Sequence, residues 1–246
     1  MSINQISVVI MAKDAQETIN ETLLSLDKFN EVILYLNNST DKTEEIAKKI
    51  KNVTIVHGEF MGFGTTKNKA STYANNPWIL SLDSDEVLNE ELIDEINRQD
   101  FSNISNVFIL KRDNYFLGAK TISKDYILRI YNKEHTEFND NLVHEKVIVK
   151  KNSNQIKLET SFKHHNITDI NQTLTKLIKY TNLGAEDKKT CIFLMVIFKA
   201  LFAFIQSYFL RFYFVNGWRG FVISISNANR RFYKYLKQYI NCKNLS

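Results

Sequence analysis

Two aspartates and a glutamate close the apolar run Trp78-Ile-Leu-Ser-Leu-Asp83-Ser-Asp85-Glu86. Alternate side chains of an extended chain share a face, so Asp83 and Asp85 can point the same way at short range. Like charges held that close repel one another unless a cation lies between them. Oxygen ligands with no cysteine nearby favour Mg2+ or Mn2+ over zinc. Such a site suits a diphosphate, the metal offsetting charge that builds on a leaving group. The plainer alternative is a solvated acidic turn ahead of a helix.

Further groups point to phosphate and proton chemistry. Gly62-Phe-Gly64-Thr-Thr-Lys67-Asn68 places two glycines at the mouth of a helix and a lysine in its first turn, a combination that favours anions. Asn37-Asn38-Ser-Thr-Asp41 offers polar groups for a base or ribose, and Ser39 or Asp41 serves equally as a helix cap. His144-Glu145 and His164-His165 supply imidazole and carboxylate for a general base or a further metal ligand, and the residues alone leave that choice open. No G-x-G-x-x-G follows the first strand, near Ala12-Lys13-Asp14, which disfavours a dinucleotide site. Leu80–Val87 also resembles the nucleophile motif of haloacid-dehalogenase-type phosphatases. Those enzymes carry the motif on their first core strand and need a later acidic pair, which this sequence lacks.

The elements that must hold these groups alternate regularly. Apolar strands begin near residues 6, 32, 53 and 78, with helical patterns between them. That spacing of about 25 residues is the repeat of right-handed β-α-β units in a parallel sheet. Ligands bind at the carboxyl ends of such strands, where the acidic cluster falls. After a helix over 90–99 the rhythm changes to strands at 107–110, 126–131 and 143–149 with no helices between them. From residue 171 the pattern is helical, over 171–187, roughly 190–215, and 218–240. The expected fold is α/β, a Rossmann-like and mostly parallel sheet flanked by helices, with a C-terminal amphipathic helical extension. The division falls at 1–168 and 169–246, with no Gly/Pro/Ser linker.

Charge separates the same two parts. The net charge is +5, but residues 170–246 hold 12 Lys/Arg against two acids, leaving −5 on residues 1–169. Half of the 30 aromatic residues lie between Phe193 and Tyr239. Residues 192–215 are nearly all apolar, yet Lys199 and Arg211 weigh against a true membrane span. Aromatic and basic residues together suit a helix lying on anionic lipid, and the apolar density is too high for a nucleic-acid surface. Cys191 and Cys242 lack metal-type spacing, which predicts free thiols in a reducing compartment. Met1-Ser-Ile-Asn-Gln has no basic and apolar leader pattern, so a cytoplasmic protein at the inner face of the membrane is expected.

Taken in order, these segments resemble glycosyltransferase family 2, the inverting GT-A enzymes, over the first 110 residues. Over nearly the whole chain they resemble the lipopolysaccharide core glucosyltransferase (WaaE/KdtX) subfamily. Besides the acidic block, which is a D-x-D motif, the matching segments include Tyr115-Phe-Leu-Gly118, Asp125-Tyr-Ile-Leu-Arg129, Val143-His-Glu145 and Gly217-Trp-Arg-Gly-Phe221. The resemblance implies transfer of a hexose from a nucleotide sugar to a lipid-linked saccharide, with Mg2+ or Mn2+ as cofactor. It implies that Asp83, Asp85 and His164 hold the metal. Asp14, Asn37, Asn38, Asp41, Lys67, Asn68 and Asp83 would bind the donor, and Arg129, His144 and His165 would face the acceptor. Glu145 is the candidate base, with Asp125 and Asp140 next. Leu36 stands where the family usually has a base-recognising Asp, and Ile167 replaces a usual Tyr. A polyprenyl-phosphate acceptor, or a non-catalytic membrane-docked protein, are the alternatives.

Overall fold

The structure is a computed structural model that describes residues 2–141, 145–185 and 190–244. The chain forms two compact units, Met1–Asp113 with Lys124–His165, and Asn114–Ser123 with Asn166–Ser246.

In the first unit, β1 (Ile6–Ala12), β2 (Val32–Leu36), β3 (Val53–His57) and β4 (Trp78–Asp83) form parallel pairs, with β1 between β2 and β4. Their side chains face helices on both sides, which is why β1, β2 and β4 read as unbroken apolar runs and are almost wholly buried. The intervening helices are α1 (Ile19–Leu24), α2 (Thr43–Ala47) and α3 (Phe63–Ser71). A helix α4 (Glu90–Asn97) follows the short β5 (Glu86–Val87). The Asn89 side chain caps α4 by accepting from the Leu92 N–H at 2.9 Å, and Glu90 and Glu91 suit the positive end of its dipole.

Beyond α4 the sheet turns antiparallel. β6 (Asn106–Phe116), β7 (Ala119–Asn132) and β8 (Asn154–Ile167) complete eight strands in the order β3-β2-β1-β4-β7-β6-β8-β5. The sheet is therefore mixed, β4 pairing in parallel with β1 and antiparallel with β7. Leu117 and Gly118 join β6 to β7 with φ of 47° and 76°, the left-handed pair that a tight hairpin turn requires.

One expectation about this half needs correction. Of the strand expected over 143–149, only Val147 among the described residues pairs, in an isolated bridge to Phe138. That stretch instead clasps the loop before it, Asn139 N–H donating to Lys146 O and Ile148 N–H to Glu137 O. The strand that does form here, β8, hides its period-2 pattern behind Lys157, Glu159 and Lys163, while Leu158 and Phe162 go into the core.

In the second unit, α5 (Ile170–Leu183), α6 (Phe193–Ile205) and α7 (Gly217–Lys243) follow one another, with a π-turn at Gln206–Leu210 after α6. Gly220 must be glycine for α7 to start here, since a Cβ would lie 1.7 Å from Tyr213 O. Cys191 and Cys242 form a disulfide across 51 residues, with Cα atoms 5.5 Å apart. This corrects the free-thiol expectation. The pairing is tertiary: α7 runs back beside the start of α6, where Phe193 and Tyr239 rings also meet at 5.6 Å.

Candidate active site

Charged side chains converge in the first unit where β4 ends. Lys67 projects from α3 and donates to Asp83 Oδ1 at 3.0 Å and to Glu145 Oε1 at 2.9 Å. Arg129, on β7, donates to Asp83 Oδ2 at 2.6 Å and also to Glu86 Oε1. Arg112, on β6, bridges Glu86 Oε1 and Asp125 Oδ2, both at 2.9 Å. The side chains of Lys67 and Arg129 are 4% exposed and that of Glu86 is fully buried. Buried charges survive only where partners answer them, and here the acids and bases alternate along one chain of contacts. Burial alone would raise the Asp83 carboxyl pKa. The charges of Arg129 and then Lys67 outweigh it and hold that group well below the ordinary carboxylate range. The Arg129 guanidinium is correspondingly held above its usual value, Asp83 and Glu86 overcoming its burial.

The backbone explains this convergence. Gly64 lets α3 approach the loop before Glu145, for a Cβ there would lie 1.8 Å from Asn139 O. Asn68 clamps the same loop, donating to Phe138 O and accepting from the Phe138 N–H, each at 2.9 Å. Its amide is thereby committed to positioning Glu145's loop. Asp83, Arg129 and Glu145 line one cleft of about 420 Å³, walled by Tyr126, Leu128 and Val147.

The other candidate residues fall into smaller groups. Asp85 Oδ2 lies 3.4 Å from His164 Nε2, on the β5–β8 pair where Glu86 registers with His164. His165 contacts Glu21 Oε2 through Nε2 at 2.8 Å, and its N–H donates to Asp85 O. Asp14 accepts from the Thr40 N–H at 2.8 Å and its own N–H bonds Ser39 Oγ, tying the β1 and β2 loops together. Asp41 accepts from the Gln16 and Thr43 N–H groups and the Thr43 hydroxyl, which lower its pKa against a raising effect of burial. Asp41 thus orders the start of α2. Asn38 takes a left-handed φ of 57°, while Asn37 is 7% exposed and its Oδ1 has no hydrogen-bond partner among the described residues. Leu36 is core, its side chain 1% exposed. His144 lies outside the described residues.

Arg112 and Glu21 were not singled out from the sequence. Arg112 lies in the charged run Lys111-Arg112-Asp113 beyond the apolar part of its strand and, like Glu21, carries no signal.

A divalent metal fits these residues in part. Asp83 has both oxygens engaged by cations, and no group of three His, Cys, Asp or Glu residues gathers among the described residues. Asp85 and His164 present one carboxylate and one imidazole. That donor set suits an ion such as Mg2+ or Mn2+, which takes few protein ligands and completes its shell with phosphate and water.

Residues 7–164, almost all of the first unit, match the family model for glycosyl transferase family 2. The chain belongs to glycosyltransferase family 2. Two relatives of the glycosyltransferase, both uncharacterized glycosyltransferases, come from Rickettsia typhi and Rickettsia conorii. Each is 29% identical, the match covering 95% of this chain and 86% or 89% of the relative. Among solved structures, S. aureus TarS 1–349 in complex with UDP-GlcNAc aligns at a TM-score of 0.48 and 14% identity, covering 97% of this chain and 92% of that one. Glucosyl-3-phosphoglycerate synthase from Mycobacterium tuberculosis, in complex with Mn2+, UDP and phosphoglyceric acid, aligns at 0.45 and 14%, over 72% and 77%. The family match sets aside both the phosphatase alternative and the non-catalytic one. The fold of this glycosyltransferase is the α/β, Rossmann-like GT-A arrangement.

Proposed function

We propose that this glycosyltransferase moves a hexose, with inversion, from a nucleotide sugar to a lipid-linked saccharide at a membrane surface, as a lipopolysaccharide core glucosyltransferase does. The observation that carries the reading is the pairing of Lys67 with both Asp83 and Glu145 beside one cleft. It puts a cation for a diphosphate and a carboxylate for an acceptor hydroxyl within one side chain's reach.

Each residue then has a task. Asn37 Oδ1 accepts from the base or ribose of the donor. Lys67, already desolvated, turns from Asp83 towards the diphosphate as negative charge grows on the leaving group. Glu145, oriented by Lys67, takes the proton of the acceptor hydroxyl as that oxygen attacks the anomeric carbon from the face opposite the diphosphate. The carbon passes through oxocarbenium character, and the departing nucleoside diphosphate carries away the electron pair. Asp85 and His164 would hold Mg2+ or Mn2+, which when bound offsets charge on the diphosphate oxygens. Arg112, Arg129 and Glu86 position Asp83, and Arg129 also lines the cleft, on the acceptor side.

α6 and the π-turn after it, Phe193–Leu210, are long and apolar enough to cross a membrane by length and composition, yet 17% of the stretch is buried. A core helix would be mostly buried. We assign these residues to the membrane surface, where a lipid-linked acceptor presents itself, with Lys199 lying 3.8 Å from the Tyr235 ring centroid.

The test is transfer of labelled hexose from a panel of nucleotide sugars into lipid extracts, comparing the wild type with Glu145→Gln. The wild type labels the lipid fraction with one donor, and the variant binds that donor equally well but labels nothing. Labelling by the variant at the wild-type rate would place the base elsewhere.

A further inference from the structure

The helical unit contains a second cavity, of about 300 Å³, lined by residues of that unit alone. Asn114 on the hairpin, Thr173, Lys176 and Tyr180 on α5, and Asn227 and Arg230 on α7 set its character. Ile223, Ser226, Asn227 and Arg230 recur at helical spacing, so one whole stripe of α7 faces it.

Its charge is one-sided. No Asp or Glu stands among the described residues that line it, while Lys176 and Arg230 both do. Lys176 donates to Asn166 O at 2.9 Å. Arg230 makes no hydrogen bond or ion pair among the described residues, and the Thr173 hydroxyl is buried with no partner. Both cations are solvent-exposed, and two of them lining one cavity, with no acid among its described lining residues, favour an anion there.

The same unit explains what that anion is attached to. Leu194, Phe198 and Leu201 on α6 are 72%, 65% and 59% exposed. Apolar skin of this extent belongs against hydrocarbon, and phosphate is the anion found at that boundary.

We propose that this cavity binds the phosphate-bearing headgroup of an anionic lipid, separately from the donor cleft. The Arg230 fork and the Lys176 ammonium meet the phosphoryl oxygens, Thr173 and Asn227 supply further polar contacts, and the acyl chains stay with α6 outside.

The experiment is sedimentation of the full chain with phosphatidylcholine vesicles, with or without phosphatidic acid. It compares Lys176→Gln/Arg230→Gln with a charge-matched control, Lys179→Gln/Lys243→Gln, whose lysines are exposed and do not line the cavity. The cavity pair should bind phosphatidic acid vesicles about tenfold more weakly than the control pair, although both lose the same charge. Equal losses in the two pairs would mean diffuse attraction and overturn the site. Inorganic phosphate and glycerol 3-phosphate are the competing probes. Displacement of the wild type by either at millimolar concentration, with no dependence on phosphatidic acid, would assign the cavity to soluble phosphate and overturn the lipid headgroup. Should the cavity pair unfold, Thr173→Val tests the same contact without removing charge. Unchanged phosphatidic acid binding by that variant would also refute the proposal.

Discussion

The two units handle charge and apolar surface in opposite ways. In the sheet unit Trp78, Phe101 and Phe108 are buried against one another, Trp78 meeting both rings edge to face and donating to Phe101 O at 3.0 Å. Its buried charges are paired, from Asp125 through Arg112, Glu86, Arg129, Asp83 and Lys67 to Glu145. In the helical unit large apolar groups such as Phe209, Leu210 and Trp218 stand exposed, and no acid among the described residues lines the cavity that Arg230 enters. A unit that satisfies itself internally can fix a geometry for chemistry. One that leaves both apolar and cationic groups unanswered is built for an amphiphile, which is the proposed role of these helices.

That contrast can be broken most sharply at the site. Asp85→Ala and Glu145→Gln should each lower transfer by about 10²–10⁴-fold while leaving the unfolding midpoint near that of wild type. A loss of activity matched by a loss of fold would show that these residues are structural.

The ion network should behave in the reverse sense. Arg129→Ala leaves Asp83 and Glu86 facing each other without their shared cation, and should destabilise the protein by about 3–5 kcal/mol in urea unfolding. A change below about 1 kcal/mol would mean that water reaches and screens the pair.

The disulfide sharpens the comparison from the other side. Closing a 51-residue loop, it should stabilise by about 2–4 kcal/mol, and Cys191→Ser should lower only the melting of the helices. Hydrogen exchange would show it, protection falling in α6 and α7 and holding in β1 and β4.

A smaller effect follows from pH. The folded pKa of Asp83 lies below its unfolded value of about 4, so its stabilising contribution is complete above that value. The contribution fades only as pH falls through the lower, folded pKa. Acid titration of stability in the wild type should therefore be steeper below about pH 4 than in Asp83→Asn, and parallel curves would contradict the network.

How much of this could be read from the residues differs by region. β1, β2 and β4 are continuous apolar runs at even spacing, so their parallel order and the acidic end of β4 were legible. β8 was not, because Lys, His and Thr break its alternation, and the Val-rich stretch at 143–149 drew the strand assignment instead. Lys67, Asp83 and Glu145 were each singled out, but not their contact, since α3, β4 and a later loop meet only in three dimensions. The partner of Arg129 was hidden for the same reason, Glu86 lying 43 residues away. Asn68 and Asp41 looked like ligand groups and are engaged with backbone, a distinction that composition does not carry.

The central claim is that the acidic end of β4 takes a nucleoside diphosphate with the help of a divalent ion. Isothermal titration of the wild type and Asp85→Ala with a nucleotide sugar, with and without Mn2+, tests it directly. The account predicts binding by the wild type that strengthens at least about tenfold when Mn2+ is added, and no such gain in the variant. Equal affinity with and without the ion, or a gain that survives the loss of the Asp85 carboxylate, would contradict it.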